Sequence, residues 1–390
     1  MTAGLDEDRL DDEDLLEGAD PGGMLRQVAS SAAQVRAARQ ITSEADLSRL
    51  VADGRPRAVV VTGMGGSGVA GDVLAAVAGR GCPVPIVTLH DYQLPGWVGP
   101  NDLVIAVSCS GSTEETLEVA HEAARRGCRM AAVGGAGSAL DAVATQAGAP
   151  FVPVTSAGQP RSTLWGLSIP LVVIAERLGL VRAGESDYDA AAAKLEDISH
   201  SCRPGSETFV NPAKTLATEI AGTVPMIWGT SPLTGVAAYR FGCQLNENAK
   251  YPAVTGTLPE ANHNQVVTFD GPFAVSSLEF PGSIGDGGFG DDRLDDDVEA
   301  RPPWPLRLVI LCDTREHTQV TKRREVTAEL ASDRGVRTSE VLAEGDHPLV
   351  RLASVVQLID YATVYLALGL GLDPSPVTAI DELKARIAGV

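Results

Sequence analysis

The sequence is poor in aromatic residues and in positive charge. Only 4% of its 390 residues are Phe, Trp or Tyr, so its cores must be built from Ala, Val, Leu and Ile, as in tightly wound α/β proteins. Its 31 Lys and Arg stand against 51 Asp and Glu, a formal net charge of −20. This balance argues against nucleic-acid and anionic-membrane partners, which require clustered positive charge. It does not exclude a small anionic substrate, since backbone N–H groups and hydroxyls can hold a phosphate.

The sequence also lacks the signals of secretion, of metal binding and of membrane insertion. None of the six cysteines forms a CxxC pair or a metal-type spacing with His, which predicts a reduced, cytoplasmic protein without a metal site. The acidic start, MTAGLDEDRLDDEDLLEGAD, has neither the basic region nor the apolar core of a signal peptide. We also expect that no apolar run is long enough to span a bilayer.

The length and the element pattern predict two α/β domains in tandem. A chain of 390 residues exceeds one ordinary domain and suggests two of about 150–200 residues each. We predict an acidic tail over 1–22 that is disordered or contains at most a short acidic helix, a first domain over 23–200 and a second over 201–390. The second domain carries an exposed acidic loop at 285–303, rich in Gly, Asp and Pro.

Strand-like and helix-like runs alternate within each predicted domain. In the first, β-rich runs such as RAVVVTG and DLVIAVSCS alternate with helical runs such as SGVAGDVLAAVAGR and TEETLEVAHEAARRG. This alternation predicts a doubly wound parallel sheet with helices on both faces. The second domain repeats it, with predicted strands at 224–229, near 272–280, at 306–312 and at 337–343. Two apolar helical segments follow, at about 346–371 and 376–388.

A glycine-rich turn follows the first predicted strand. In VVVTGMGGSGVAGD, residues 63–68 satisfy G-x-G-x-x-G, and Asp91 ends the next strand near the position of a ribose-binding acid. A dinucleotide site, as in an NAD-dependent dehydrogenase, is therefore one interpretation. A plain tight turn between strand and helix is about as good an explanation of this segment taken alone.

A serine-rich turn follows a neighbouring strand. In SCSGSTEET, the hydroxyls of Ser108, Ser110, Ser112 and Thr113 lie where a strand ends and a helix begins. Ligands of open α/β sheets bind at that edge, and hydroxyls with unpaired helix N–H groups suit a single phosphate. Thr113 can alternatively serve as a plain N-cap. Together with Ser67 in the glycine turn, the serine turn favours phosphate binding.

The segment QLNENAKYPAVTGTLPEANHNQ, residues 244–265, concentrates ionisable groups. Glu247 ends a predicted helix and could be a general base, although pairing with Lys250 is an equally good explanation from the residues alone. His263 by itself is more often a surface or packed histidine, and the pattern around Glu260 indicates a structural role. Arg161 follows Pro160 at a helix start, where a cation opposes the helix dipole, so a functional role is favoured there.

These segments together resemble a known family. GMGGSGVAGD and SCSGSTEET are similar to the two phosphosugar-binding signatures of sugar isomerase (SIS) domains. GQPRS, QLNENAKYPA, PEANHNQ and DPSPVTAIDELKARI occur in the order seen in the bifunctional phosphoglucose/phosphomannose isomerases, over about residues 24–390. The resemblance implies two flavodoxin-like SIS domains in a homodimer with a shared active site. It also implies reversible isomerisation of glucose or mannose 6-phosphate with fructose 6-phosphate through a cis-enediolate, without metal or cofactor.

The resemblance also assigns roles to individual residues. Gly65, Gly66 and Ser67 would line the sugar site, and Ser108, Ser110 and Thr113 would hold the phosphate. Arg161 would lie near the enediolate and Glu247 would be the catalytic base. His263, given by the partner subunit, would assist ring opening, and Lys384 of DELK would enter the site.

Some features of the sequence leave alternatives to this assignment. By its pattern alone, Lys384 is one charge of an amphipathic terminal helix. Cys109 and Ser112 depart from the aromatic residue and Asn common in the second signature, which bears on substrate preference. The alternative function is a non-catalytic, phosphosugar-binding SIS regulator, which would not need Glu247 and His263 together.

Overall fold

Two parallel β-sheets form the framework of the protein. The computed structural model describes residues 5–155, 158–274 and 304–389. The first sheet contains β1 (Val59–Thr62), β2 (Ile86–Leu89), β3 (Leu103–Ser108), β4 (Arg129–Gly134) and β5 (Phe151–Pro153). The second contains β6 (Val224–Gly229), β7 (Val254–Thr257), β8 (Leu306–Asp313) and β9 (Arg337–Ala343).

The first sheet has the strand order β2-β1-β3-β4-β5, and all its pairs are parallel. Its central strands β1 and β3 are entirely buried, which explains their unbroken runs of apolar residues. The order is the flavodoxin-like one, whose switch point lies between β1 and β3. The predicted doubly wound α/β fold is therefore confirmed.

The second sheet repeats this arrangement with one strand fewer, in the order β7-β6-β8-β9. Strand β7 was not predicted because three of its four residues, VTGT, are polar or glycine and it is an edge strand without an apolar run. The predicted strand near 272–280 is absent at 272–274, and 275–280 lie outside the described residues.

The described ranges contain fifteen α-helices. They are α1 (Glu7–Leu10), α2 (Glu13–Ala19), α3 (Met24–Ala29), α4 (Ser31–Glu44), α5 (Ser48–Ala52), α6 (Gly66–Ala78), α7 (Glu114–Arg125), α8 (Ala139–Ala147), α9 (Leu164–Arg177), α10 (Glu185–Ser201), α11 (Pro212–Ile220), α12 (Pro232–Ala249), α13 (Thr318–Asp333), α14 (Pro348–Gly369) and α15 (Thr378–Ala388).

One continuous apolar core lies between the two sheets and is filled by α4, α6, α9, α10, α12 and α14. Helices α7 and α8 cover the outer face of the first sheet. Helix α13 and the 3-10 segments at 260–263 and 265–270 cover the outer face of the second. The two units therefore share their inner core.

Helix α14 is the central helix of that shared core. By length and composition it could cross a membrane, so the expectation that no segment is long enough is wrong on that criterion. However, 94% of its most apolar window is buried in the protein, and it packs against α10, α11 and α12. Its apolar character is that of an interior helix.

The acidic N-terminal segment is folded from residue 5 onward. Asp6 and Asp12 cap α1 and α2 by accepting the N–H groups of Arg9 and Leu15, and Leu10 and Leu16 are completely buried. The prediction of a disordered tail is wrong for residues 5–22 because two well-spaced leucines outweigh the surrounding charge. The predicted acidic loop at 285–303 lies outside the described residues.

Candidate active site

The glycine turn joins β1 to α6 at the carboxyl edge of the first sheet. Gly65 adopts φ 54°, which L-amino acids seldom tolerate, and α6 begins at Gly66. The buried Ser67 hydroxyl accepts the backbone N–H of Cys109 at 3.2 Å. The glycine turn is thereby tied to the serine turn across the β1–β3 switch point.

The serine turn gathers its hydroxyls within one loop between β3 and α7. Ser108 Oγ is hydrogen-bonded to Thr113 Oγ1 at 2.8 Å and accepts the N–H of Gly111 at 3.0 Å. Ser112 Oγ donates to Ser110 Oγ at 3.0 Å. Thr113 occupies the N-cap position of α7, as the N-cap alternative predicts, but its side chain makes no capping hydrogen bond. Hydroxyls and the first N–H groups of α7 form an arrangement suited to a phosphate.

Arg161 is buried beside the glycine turn, in a 3-10 segment at Pro160–Ser162. Its Nε donates to Asn248 Oδ1 at 2.7 Å, and its Nη2 donates to the carbonyls of Pro374 and Ser375 at 2.6 and 2.9 Å. The remaining nitrogen, Nη1, lies 3.9 Å from Glu247 Oε2. Burial lowers the pKa of Arg161, and the Glu247 carboxylate opposes that shift. An arginine nevertheless keeps its charge.

The backbone around Arg161 connects the two units. A Cβ added to Gly66 would lie 3.7 Å from Arg161 Cα, so the first residue of α6 and the arginine are neighbours. The Arg161 carbonyl accepts hydrogen bonds from Arg240 Nη2 and Gln244 Nε2 on α12, both at 3.0 Å. The catalytic candidates of the two units therefore meet at Arg161.

A buried polar row on α12 supports this arrangement and was not predicted. Arg240 forms a bidentate ion pair with Asp360 of α14, at 2.9 and 2.6 Å, and burial raises the pKa of that carboxyl against the arginine. Asn248 Nδ2 donates to Thr363 Oγ1 at 2.9 Å. The i, i+4, i+8 spacing of Arg240, Gln244 and Asn248 is the signal that could have revealed one polar helix face.

Glu247 lies in the last turn of α12, and its side chain is 29% exposed. Lys250 does not pair with its carboxylate. The Lys250 ammonium instead donates to the Glu247 and Asn248 carbonyls, at 2.9 and 3.2 Å, and burial lowers its pKa, with Arg161 adding to the shift. The alternative of a Glu247–Lys250 pair is therefore not observed, and the carboxylate faces Arg161.

His90 is a further residue of the site that the sequence did not single out. It follows β2, and its Nδ1 lies 3.0 Å from the carbonyl oxygen of Gly63. Because a carbonyl only accepts, Nδ1 must carry the proton. Nε2 lies 4.0 Å from Asp72 Oδ2 on α6, and a Cβ at Gly68 would overlap the imidazole. The ring therefore supports the glycine turn from beneath.

His263 is not brought to Glu247 within one chain. It ends the 3-10 segment Glu260–His263, is exposed, and makes no side-chain hydrogen bond or ion pair with the described residues. This segment follows β7, whose Thr257 packs against Gly235 in the first turn of α12. Glu247 lies twelve residues further along that helix, which is about 18 Å at ~1.5 Å per residue.

Glu260 and Lys384 lie at the surface. Glu260 is exposed and accepts Asn264 Nδ2 at 2.9 Å, which agrees with a structural role. Lys384 lies on α15, whose described side chains are all exposed, including Ile380, Leu383 and Ile387. No contact within the described ranges joins the Lys384 ammonium to the residues around Glu247.

The corresponding edge of the second sheet holds an internal carboxylate. Asp313, the last residue of β8, accepts Ser231 Oγ at 2.7 Å and faces Arg351 Nε at 2.9 Å. All three groups lie between the end of β6 and the start of α14. Asp313 and Arg351 are buried, and Ser231 is half-buried. In the second unit, the side chains of Ser231, Asp313 and Arg351 thus occupy the position that corresponds to the serine turn of the first unit.

Comparisons with known proteins give consistent similarities. Residues 209–387 match the model of the bacterial phospho-glucose isomerase C-terminal SIS domain. The chain is 30% identical over 332 residues, 85% of this chain and 90% of the relative, to a bifunctional phosphoglucose/phosphomannose isomerase of Caldicellulosiruptor bescii. It is 29% identical, with the same coverage, to one of Aquifex aeolicus.

A solved structure gives the same fold. A hypothetical protein of Thermus thermophilus superposes with a TM-score of 0.66 at 16% identity, over 96% of this chain and 94% of that one. At this identity the likeness concerns the fold alone.

Proposed function

Because the chain belongs to the family of bifunctional phosphoglucose/phosphomannose isomerases and is a sugar-phosphate isomerase, we propose that it interconverts glucose 6-phosphate, mannose 6-phosphate or both with fructose 6-phosphate. The observation that carries the proposal is the convergence at Arg161 of three features. These are the glycine turn beside its backbone, the Glu247 carboxylate beside its Nη1, and the polar row of α12 behind it. The serine turn joins them through Ser67.

In this proposal the serine turn holds the substrate phosphate. The hydroxyls of Ser108, Ser110 and Thr113 and the first N–H groups of α7 bind its oxygens, while Gly65, Gly66 and Ser67 line the sugar. Glycine at 65 and 66 lets the backbone come close to the ligand because no Cβ intervenes. The strands end here at the switch point, which is the usual ligand position of such sheets.

The proton transfer then falls to Glu247. Its carboxylate removes the proton from C2 of the open-chain aldose, giving a cis-enediolate, and returns it to C1 while the proton of the C2 hydroxyl passes to the C1 oxygen, which forms the ketose. The charge that develops on oxygen is stabilised by the Arg161 guanidinium, whose Nη1 is the nitrogen left after Nε and Nη2 are fixed. A base and a fixed cation suffice for this step, so we propose that it needs neither metal nor cofactor.

His263 and Lys384 enter this proposal differently. In one chain β7, which leads to the His263 segment, packs against Gly235, about 18 Å along α12 from Glu247. This supports a homodimer in which His263 of one protomer completes the site of the other and assists ring opening. Lys384 lies on a helix that begins at Thr378, three residues after Ser375, which with Pro374 supplies the two carbonyl partners of Arg161. We propose that this helix brings it to the site in the dimer of a cytoplasmic enzyme.

The direct test is turnover by the purified protein in the presence of EDTA. Fructose 6-phosphate should yield glucose 6-phosphate, mannose 6-phosphate or both, which chromatography separates. Folded protein that binds fructose 6-phosphate without converting it would refute the enzymatic proposal and favour the phosphosugar-binding regulator. Activity that is lost with EDTA and restored by a divalent cation would refute metal independence alone.

The assignment of the base is tested by Glu247→Gln. The amide keeps the shape of the side chain but cannot accept the proton, so kcat should fall by about 10²–10⁴-fold while fructose 6-phosphate still binds. Glu260→Gln is the matched control, since it removes an exposed carboxylate of the same sequence block and should leave kcat unchanged. A fully active Glu247→Gln enzyme would show that another group is the base.

A further inference from the structure

A second polar cleft lies at the amino edge of the first sheet, opposite the candidate active site. It encloses about 620 Å³, within the usual range of small-ligand sites. Its walls are the loops that precede β1, β3, β4 and β5, together with the end of α5. The glycine and serine turns follow the other ends of β1 and β3, about 20 Å away along the six residues of β3.

Four arginines line this cleft: Arg49, Arg55, Arg57 and Arg129. Among the described residues, only two carboxylates form ion pairs with these arginines. Asp102 accepts two hydrogen bonds from the Arg57 guanidinium, at 2.9 and 2.6 Å. Asp53 Oδ2 lies 3.7 Å from Arg129 Nε. A local excess of two positive charges therefore occurs in a chain whose net charge is −20.

Three of these guanidinium groups are fixed by backbone carbonyls. Arg129 Nη2 donates to the carbonyls of Leu50 and Gly54, at 2.7 and 2.8 Å. Arg57 Nη2 donates to the Trp97 carbonyl at 2.5 Å, and Arg49 Nη1 donates to the Gly148 carbonyl at 3.2 Å. Because the groups are held before any ligand arrives, an anion would lose little free energy in ordering them.

Arg55 differs from the other three. Its side chain is exposed, and it makes no hydrogen bond or ion pair within the part of the chain that the structure describes. It is not needed to hold the loops together, and its five N–H donors remain available to a ligand. The charge of Arg49 is also available, because the hydrogen bond of its guanidinium is to a neutral carbonyl.

We propose that this cleft is a second anion site, separate from the active site, for a compound that carries two or more phosphate groups. Guanidinium groups form bidentate hydrogen bonds with phosphate oxygens, and several of them lining one cleft suit several phosphates better than one. A single sugar phosphate has its own site at the carboxyl edge.

The test is isothermal titration of the full chain with inorganic pyrophosphate in the presence of saturating fructose 6-phosphate, which occupies the catalytic phosphate site. One pyrophosphate should bind per chain, more weakly as salt is raised. Arg55→Ala and Arg49→Ala should each weaken it by roughly tenfold, the usual effect of one charged hydrogen bond. Arg125→Ala on α7, an exposed arginine outside the cleft, is the control and should leave it unchanged.

Three results would overturn the proposal. Pyrophosphate that does not bind once fructose 6-phosphate is saturating would mean that it uses only the catalytic site. An equal loss in Arg125→Ala would mean an adventitious ion only. Citrate that binds as tightly as pyrophosphate would refute the phosphate assignment. The use of fructose 6-phosphate rests on the proposed function, whereas the comparison of Arg55→Ala with Arg125→Ala does not. Without pyrophosphate, the Arg55→Ala enzyme should have the same kinetics as the unaltered enzyme.

Discussion

Replacing Arg161 by lysine tests the centre of the proposed site. The guanidinium makes three hydrogen bonds through Nε and Nη2, to Asn248, Pro374 and Ser375, and leaves Nη1 beside Glu247. A lysine has one nitrogen at the end of a flexible chain. It can bond the two carbonyls or lie near Glu247, but it cannot do both.

The expected magnitudes follow from these contacts. Loss of a fixed positive group at a developing oxyanion lowers kcat by about 10²–10³-fold, or about 2.7–4 kcal/mol. The Asn248 oxygen is also left without its donor in a buried place, which costs about 1–3 kcal/mol of folding stability. The variant should therefore be slow and less stable, yet still bind fructose 6-phosphate through the serine turn.

The assay separates these two effects. Steady-state kinetics with fructose 6-phosphate gives kcat and KM, and urea unfolding gives the free energy of unfolding. Arg307→Lys is the control, because Arg307 is also buried and bonds Ser339 and Glu219 at 2.8 and 3.0 Å, away from the site. It should lose comparable stability and keep its kcat. An Arg161→Lys enzyme whose kcat stays within tenfold of the unaltered enzyme would refute the proposed role.

Three further predictions concern other parts of the molecule. His90→Ala should raise KM for fructose 6-phosphate roughly tenfold and change kcat less, and His90→Asn should restore KM because its amide can donate to Gly63 from the Nδ1 position; no difference between the two variants would contradict this. Burial raises the pKa of Cys202 and Cys312 to about 12, so at pH 8 a thiol reagent should reach them only after unfolding; rapid labelling of either, located by mass spectrometry, would disagree. Leu16→Ala should lower the free energy of unfolding in urea by about 2–5 kcal/mol, whereas a detached tail would give no change.

The fold was predictable because the parallel strands are buried on both faces. Apolar runs such as VVVT and LVIAVS are typical of parallel strands that helices cover on both faces. The secondary-structure predictions failed where the local composition indicates one structure and tertiary contacts stabilise another. Strand β7 lacks an apolar run, and the acidic segment at 5–22 folds because Leu10 and Leu16 reach a core made by distant helices.

The residue types of the candidate site could be proposed from the sequence, but the arrangement of these residues could not. The hydroxyl turn and the ionisable groups Arg161, Glu247 and His263 could be named from motifs. Which of them meet depends on contacts between positions far apart in sequence, such as Arg161 with Pro374. His90 and Asp360 were not identified from the sequence because their contacts, with Gly63 and Arg240 respectively, join positions far apart in the chain. No local sequence pattern indicates such contacts.

The separate positions of Glu247, in the last turn of α12, and His263, in the 3-10 segment after β7, have a consequence for mixtures of inactive chains. If each site takes its glutamate from one protomer and its histidine from the other, Glu247→Gln and His263→Ala chains should complement one another. A mixed dimer has one site with both defects and one site with neither. Equal amounts, unfolded together and refolded, should recover roughly a quarter of full activity, because about half of the dimers are mixed and each has one intact site.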